Sequence, residues 1–222
     1  MLTLELPVNE KERIEALKRY HILDTPPDGA FDDITSLAST IFNTPIAIIS
    51  LVDSERIWFK SHYGLSVNQI DRSPGLCASA ILTDEIYAVE DARKDPRTLS
   101  NPLVAGEFGL QFYAAAPLRT SDYFNLGTLC IIDKNPRPFS EKEKTILGKL
   151  GQIVMNEMDL RLQLRSTVER IDNIASDLCK NLIKTVANVE KASSSSDKEE
   201  ILSYLESSMM FIQNLQQKIK GL

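Results

Sequence analysis

Phe112-Tyr113-Ala114-Ala115-Ala116-Pro117-Leu118 and Asn125-Leu126-Gly127-Thr128-Leu129-Cys130-Ile131-Ile132-Asp133 decide the fold. Both runs are apolar and rich in strand formers, and the polar stretch Arg119 to Phe124 between them reads as a hairpin loop. Small residues fill one arm, Ala114, Ala115 and Ala116, with Gly127 and Thr128 opposite. Such a run lets a helix, another backbone or a ligand come close to the sheet. Asp133 ends the second arm, and Lys134-Asn135-Pro136-Arg137-Pro138 makes a stiff exit. Ser140-Glu141-Lys142-Glu143 is then a capping box that starts a long helix. A sheet centre joined through a rigid elbow to a departing helix is the layout of a module that reports outward.

The remainder of the chain sets bounds on that reading. Its 222 residues carry a net charge of −6, with 43% hydrophobic and 25% charged residues, an ordinary globular composition. The length suits one domain plus an appendage. The acidic balance offers no footprint for nucleic acid or an anionic membrane. No apolar run approaches the ~20 residues that span a bilayer, and no basic segment precedes an apolar core as in a secretory signal. Cys77, Cys130 and Cys179 lie far apart with no Cys-x-x-Cys pair, which argues against a zinc knuckle or redox motif. A cytoplasmic location with reduced thiols is expected.

Asn9-Glu10-Lys11-Glu12 reads as a helix start, with Asn9 as cap and Glu12 reaching back. Asp24-Thr25-Pro26-Pro27-Asp28-Gly29 breaks that helix. Ile34, Leu37, Ala38, Ile41 and Phe42 give the next one a single apolar face. Strands are predicted at Ile46–Asp53, Ile57–Tyr63, Leu110–Leu118 and Leu126–Asp133. Between Ser66 and Asn101 the signals are short and mixed: one or two helical turns at Cys77–Leu82, a short strand at Ile86–Val89, and a charged loop from Asp91 to Asn101. This order fits an α+β domain with helices packed on an antiparallel sheet.

Beyond Ser140 the pattern becomes a heptad seam of Ile146, Leu150, Ile153, Leu160, Leu164, Ile171, Ile174 and Leu178, interrupted by Glu157 and Thr167. Ala192 to Ser196 is a polar break, and Asp197-Lys198-Glu199-Glu200 is another capping box. Leu205, Ser208, Ile212, Leu215 and Ile219 resume a heptad. Two helices joined this way read as an αα-hairpin. The second helix is expected to cover the distal seam, around Ile171 to Val189, and to leave Leu160 and Leu164 for a partner.

Ile22-Leu23-Asp24-Thr25-Pro26, Phe31-Asp32-Asp33-Ile34-Thr35, Ile46 to Asp53, Trp58-Phe59-Lys60-Ser61, Cys77-Ala78-Ser79-Ala80-Ile81-Leu82, Asn101-Pro102-Leu103-Val104 and the two arms of the central hairpin together resemble the GAF sensory domain. The resemblance is to the bacterial subset found ahead of histidine kinases and diguanylate cyclases, and it covers roughly residues 10 to 160. It implies a GAF-like antiparallel sheet of five or six strands with helices on both faces, the first and last helices packed together. A small-molecule pocket on the other face, walled by Cys77–Leu82 and Asp91–Asn101, is also implied. The expected domains are residues 1–160, GAF-like with the N-terminal helix, and residues 161–222, a long coiled-coil-like helical hairpin for dimerisation and output.

Cys77, Ile81, Asp91, Asp95, Asn101, Tyr113 and Thr128 are the candidate ligand-binding residues, and Ile153, Leu160, Leu164, Ile171 and Leu178 the candidate dimer interface. Some GAF relatives attach a bilin through a cysteine with a neighbouring histidine, but here Ala78 and Ser79 follow Cys77. Others reduce free methionine sulfoxide, and Gly75-Leu76-Cys77 resembles one of their cysteine sites. That chemistry needs a second thiol within reach, and Asp95 to Asn101 contains none. His21 and His62 form neither a triad nor a metal site, and no metal cluster is visible. No histidine lies beyond position 62, so phosphotransfer through the hairpin is not inferred.

The expected function is a bacterial signal-transduction sensor of the two-component type. It would bind an unidentified small molecule or a signalling protein and relay this through a homodimeric coiled coil, without enzymatic activity, nucleic acid, membrane or a known cofactor. The alternatives are a free methionine sulfoxide reductase and a ligand-free dimeric scaffold that binds a protein partner.

Overall fold

The computed structural model describes residues 6–220, excepting the side chains at positions 215 and 218–220. Six strands form one antiparallel sheet: β1 (Ile46–Val52), β2 (Arg56–Tyr63), β3 (Gln69–Asp71), β4 (Tyr87–Val89), β5 (Phe112–Arg119) and β6 (Asn125–Asp133). Their order is β3-β2-β1-β6-β5-β4. The helices are α1 (Glu10–Arg19), α2 (Gly29–Phe42), α3 (Leu76–Ala80), α4 (Pro102–Ala105), α5 (Glu141–Ser194) and α6 (Lys198–Lys220). The four predicted strands are present, with ends shifted by one or two residues, and β3 and β4 complete the sheet. The chain divides into two compact units between Leu162 and Gln163.

The sheet of the first unit is buried on both faces, as the nearly continuous apolar run of β1, interrupted by Ser50, requires. Ala47, Ile49 and Leu51 join Leu17 of α1, Phe31 and Ala38 of α2, and Leu147 and Val154 of α5. Ile46, Ile48 and Val52 point the other way, against Cys77 and Ala80 of α3 with Val104 and Tyr113. The small arm of the hairpin has two close neighbours. A Cβ at Gly127 would stand 1.9 Å from the Ser50 carbonyl oxygen, so the neighbour there is the β1 backbone. A Cβ at Gly151 would stand 3.0 Å from the Ala116 Cβ, so α5 is the neighbour at Ala116.

The helix starts differ in how they are satisfied. Ser140 and Glu143 make the predicted box: Ser140 N donates to Glu143 Oε2 at 2.8 Å, and Glu143 N to Ser140 Oγ at 3.3 Å. At α1 the expectation is corrected, because Asn9 makes no side-chain cap bond. Glu10 dominates there instead. It accepts from Arg13 Nε at 2.7 Å and from Arg72 Nη1 at 2.5 Å, and both arginines are buried. At α6, Asp197 caps the Glu199 amide at 2.9 Å, while Glu200 accepts from Ser195 Oγ and does not reach back to Asp197.

β2 departs from regular alternation. Phe59 pairs with Ser50 and Ser61 with Ile49, so Lys60 is the extra residue of a β-bulge. Before it, Ile57 and Phe59 point to the α3 side and Trp58 to the α2 side. After it the assignment reverses: Ser61 reaches α2, bonding Thr35 Oγ1 at 2.8 Å and Asp32 Oδ1 at 2.6 Å. Re-aiming side chains is what a bulge does to a strand.

In α5, Leu147, Leu150, Val154 and Met158 are buried in the first unit's core. At about 100° per residue, Ile153 and Leu160 lie on a different face, roughly 120° away, and are 49% and 60% exposed. Within the second unit, the distal part of α5 and α6 form a hairpin. Asn188 Nδ2 donates to Ser207 Oγ at 3.4 Å, and Lys184 lies over the Phe211 ring. The expected cover of the distal seam holds only in part: Ile174 and Leu178 are half-buried, whereas Ile171, Leu182 and Val186 are exposed, because two helices shield only the strip between them. The side chains of Leu215 and Ile219 lie outside the described residues.

Candidate functional site

Three of the seven candidate ligand residues converge. Cys77 projects from α3 onto β5 and β6, where Tyr113 Oη donates to its sulfur at 3.3 Å and the Cys130 sulfur lies 4.0 Å away. Thr128 Oγ1 and Ser50 Oγ are 2.9 Å apart beside them. All five side chains are buried. The hydrogen bond from Cys130 pulls the Cys77 thiol below its usual range, against the pull of burial. The same contact, followed by burial, holds Cys130 up. Burial first, then the neighbouring sulfurs, pushes the Tyr113 phenol up.

The other four have local duties. Ile81 is 2% exposed in the core beside α3. Asp91 pairs with Lys94 at 2.9 Å. Asp95 is gripped by Arg97, whose Nε lies 2.9 Å from Oδ1. Asn101 caps the Leu103 amide at 2.9 Å and donates to the Pro74 carbonyl at 2.8 Å. Beneath α3, side chains pack against one another: Leu76, Cys77, Ala80, Ile81, Val89, Ala92, Val104 and Leu110.

A cleft of about 430 Å³ lies elsewhere, at β2 and the loop between α1 and α2. Trp58, Phe59, Lys60, Ser61 and His62 of β2, Asn68, Asp32, and Asp24, Thr25 and Pro27 of the loop line it. The bulge puts Lys60 and Ser61 side by side. Lys60 Nζ donates to Thr25 Oγ1 at 2.9 Å and to the Pro26 carbonyl at 2.8 Å, and stands 5.4 Å from the Phe31 ring centroid. Lys60 is 6% exposed, and that burial lowers its pKa. His62 Nε2 lies 3.0 Å from Asn68 Oδ1, and its buried Nδ1 has no partner. Asp24, in a left-handed conformation at φ 58°, is neutralised by Arg56, with 2.6 Å and 2.9 Å contacts. Asp24, Thr25, Asp32 and Trp58 to Ser61 fall in the GAF-like stretches of the sequence, whereas Pro27, His62 and Asn68 do not, and none of them is among the candidate ligand residues. The available signal was a lysine inside a run of strand formers, Ile57 to Tyr63.

The profile of the GAF domain family matches residues 26–158, and the chain belongs to that family. Over 168 residues, 75% of its length, it is 39% identical to a cyclic di-GMP phosphodiesterase of Pseudomonas aeruginosa. It spans 28% of that relative's length. Among solved structures, the GAF domain of an Acinetobacter phosphoenolpyruvate-protein phosphotransferase aligns with a TM-score of 0.51 at 19% identity, over 69% of this chain and 95% of that one. The free methionine-R-sulfoxide reductase of Neisseria meningitidis aligns with a TM-score of 0.52 at 18% identity, over 74% and 99%. These two likenesses establish the fold alone. The expectation of a protein without enzymatic activity is corrected here, because the 39% relative is named as a cyclic di-GMP phosphodiesterase. Among the described residues, no helix is long and apolar enough to cross a membrane.

Proposed function

We propose that this chain is the sensory segment of a cytoplasmic bacterial protein that hydrolyses cyclic di-GMP. In this reading the GAF unit receives a small molecule or a protein partner, and paired C-terminal helices pass the response to the phosphodiesterase chemistry. The observation that carries it is the 39% identity over three quarters of this chain, which accounts for only 28% of a cyclic di-GMP phosphodiesterase. The exposed apolar stripe on α5 supports the pairing. Leu160 and Leu164 are 60% and 63% exposed, and burying one leucine is worth about 1.5–3 kcal/mol. A second copy of the chain, meeting the first across a two-fold axis, is the commonest way to cover such a stripe. Relay then requires that a ligand or partner favour one arrangement of the helices over another.

Sedimentation of the wild type and of the double variant Leu160→Asp/Leu164→Asp tests the relay. The expected result is a dimer at micromolar concentration for the first and a monomer for the second. A monomeric wild type, or a double variant that dimerises as tightly, removes the stripe as the interface.

A further inference from the structure

We propose that the cleft beside β2 is a binding site for a small organic carboxylate, which Lys60 pairs with while the Trp58 ring receives its apolar part. The inference stands apart from the phosphodiesterase reading and from the dimer, since every group involved belongs to the first unit.

An ammonium has three N–H donors, and at Lys60 two of them go to uncharged oxygens, Thr25 Oγ1 and the Pro26 carbonyl. Lys60 takes part in none of the ion pairs found among the described residues. Asp28 and Asp32 act on it through space, and Arg161 opposes them. A buried cation is costly unless it is paired. The bulge nevertheless holds this one in place, between the Phe31 and Trp58 rings. A carboxylate entering the cleft would give it the missing partner.

The surroundings narrow the class. The cleft volume falls within the roughly 300–1,000 Å³ of small-molecule sites. Asp24 and Asp32 also line it. Arg56 neutralises Asp24, while Asp32 accepts only the Ser61 hydroxyl among its side-chain contacts. Asp32 opposes any anion in the cleft, and a singly charged acid, which one lysine can neutralise, meets less of that repulsion than a dianion such as phosphate. The Trp58 ring on the Lys60 side of the strand suits an apolar body.

The chain contains one tryptophan, and it is Trp58, so its emission reports on the cleft directly. The test titrates the full chain with sodium benzoate, benzyl alcohol and inorganic phosphate at constant ionic strength. Saturable change of Trp58 emission with benzoate is expected, with at least tenfold weaker responses to the alcohol and to phosphate. In Lys60→Met, shown by circular dichroism to be folded, benzoate affinity should fall at least tenfold. Absence of a saturable benzoate response, equal affinity for benzyl alcohol or for phosphate, or full benzoate affinity in Lys60→Met would each overturn the proposal. The three wild-type titrations decide the matter even if Lys60→Met does not fold.

Discussion

Arg161 of α5 holds Asp28, the N-cap of α2, through both terminal guanidinium nitrogens, with Nη2 2.8 Å from Oδ1. Asp28 also accepts the Ala30 amide at 3.2 Å, and Arg161 lies 4.7 Å from the Phe31 ring centroid. One carboxylate thus starts a helix and anchors another. Arg161→Ala should cost about 1 kcal/mol, since the pair is partly exposed. Asp28→Ala should cost about 1 kcal/mol more, because the cap goes with it. Urea unfolding of both variants measures this. Equal losses in the two would show that the cap contributes nothing.

Glu10 stands between two buried arginines, and removing its charge leaves both without a counterion. Glu10→Gln should destabilise the protein by about 3 kcal/mol, the low end for breaking a buried ion pair. Burial raises the Glu10 pKa, but the hydrogen bonds from Arg13 and Arg72 outweigh it and hold the carboxyl below its usual range. A lowered folded pKa means the contribution is complete above the unfolded value, about 4.3, and is lost as pH falls through the folded one. The stability gap between wild type and Glu10→Gln should be constant near neutrality and narrow below about pH 4. A gap that persists unchanged to pH 2.5 would contradict the assignment.

The two close approaches to the small arm differ in severity. At Gly127 a methyl group would meet a backbone oxygen, which cannot move aside without parting β1 from β6. Gly127→Ala should therefore cost more than ~3 kcal/mol, within the range of overpacked cores and broken ladders. Gly151→Val meets the Ala116 methyl at 3.0 Å, with Leu118 and the Pro117 carbonyl oxygen 4.0 Å away, and should cost about 1–3 kcal/mol. Thermal melts that rank the two the other way would place the tighter contact at the helix.

Thiol access should follow burial. Cys179 is exposed, whereas Cys77 and Cys130 are buried. In the native protein, Ellman's reagent should titrate one thiol rapidly and the other two only as the chain opens. In guanidinium all three should react at once. Rapid reaction of Cys77 in the native state would mean that α3 lifts from the sheet far more readily than its packing implies.

Much of the sheet was legible because burial on both faces forces nearly continuous apolar runs, and Ile46–Val52 and Leu126–Ile132 are such runs, interrupted only by Ser50 and Thr128. The Ser140 box was legible because its two partners are three residues apart. Glu10 was not: its partner Arg72 is 62 positions away, and no local pattern encodes that pairing. Asp91, Asp95 and Asn101 look alike as loop polar groups whether they bind a ligand or cap a turn, and only the positions of Lys94, Arg97 and Leu103 distinguish the two. The cleft escaped for a related reason, since it joins β2 to a loop more than thirty residues earlier in the chain.

The bulge at Lys60 divides β2 into two reading frames. Up to Phe59, odd-numbered side chains face α3; from Ser61 onward, odd-numbered ones face α2. Parity along the strand is therefore not conserved, and a one-residue deletion is a change of phase at one end only. Excising position 60 would let Phe59 and Ser61 follow each other in regular pleat with their present partners in β1. The sheet would lose an irregularity, and the cleft would lose the cation that gives it a preference for an anion.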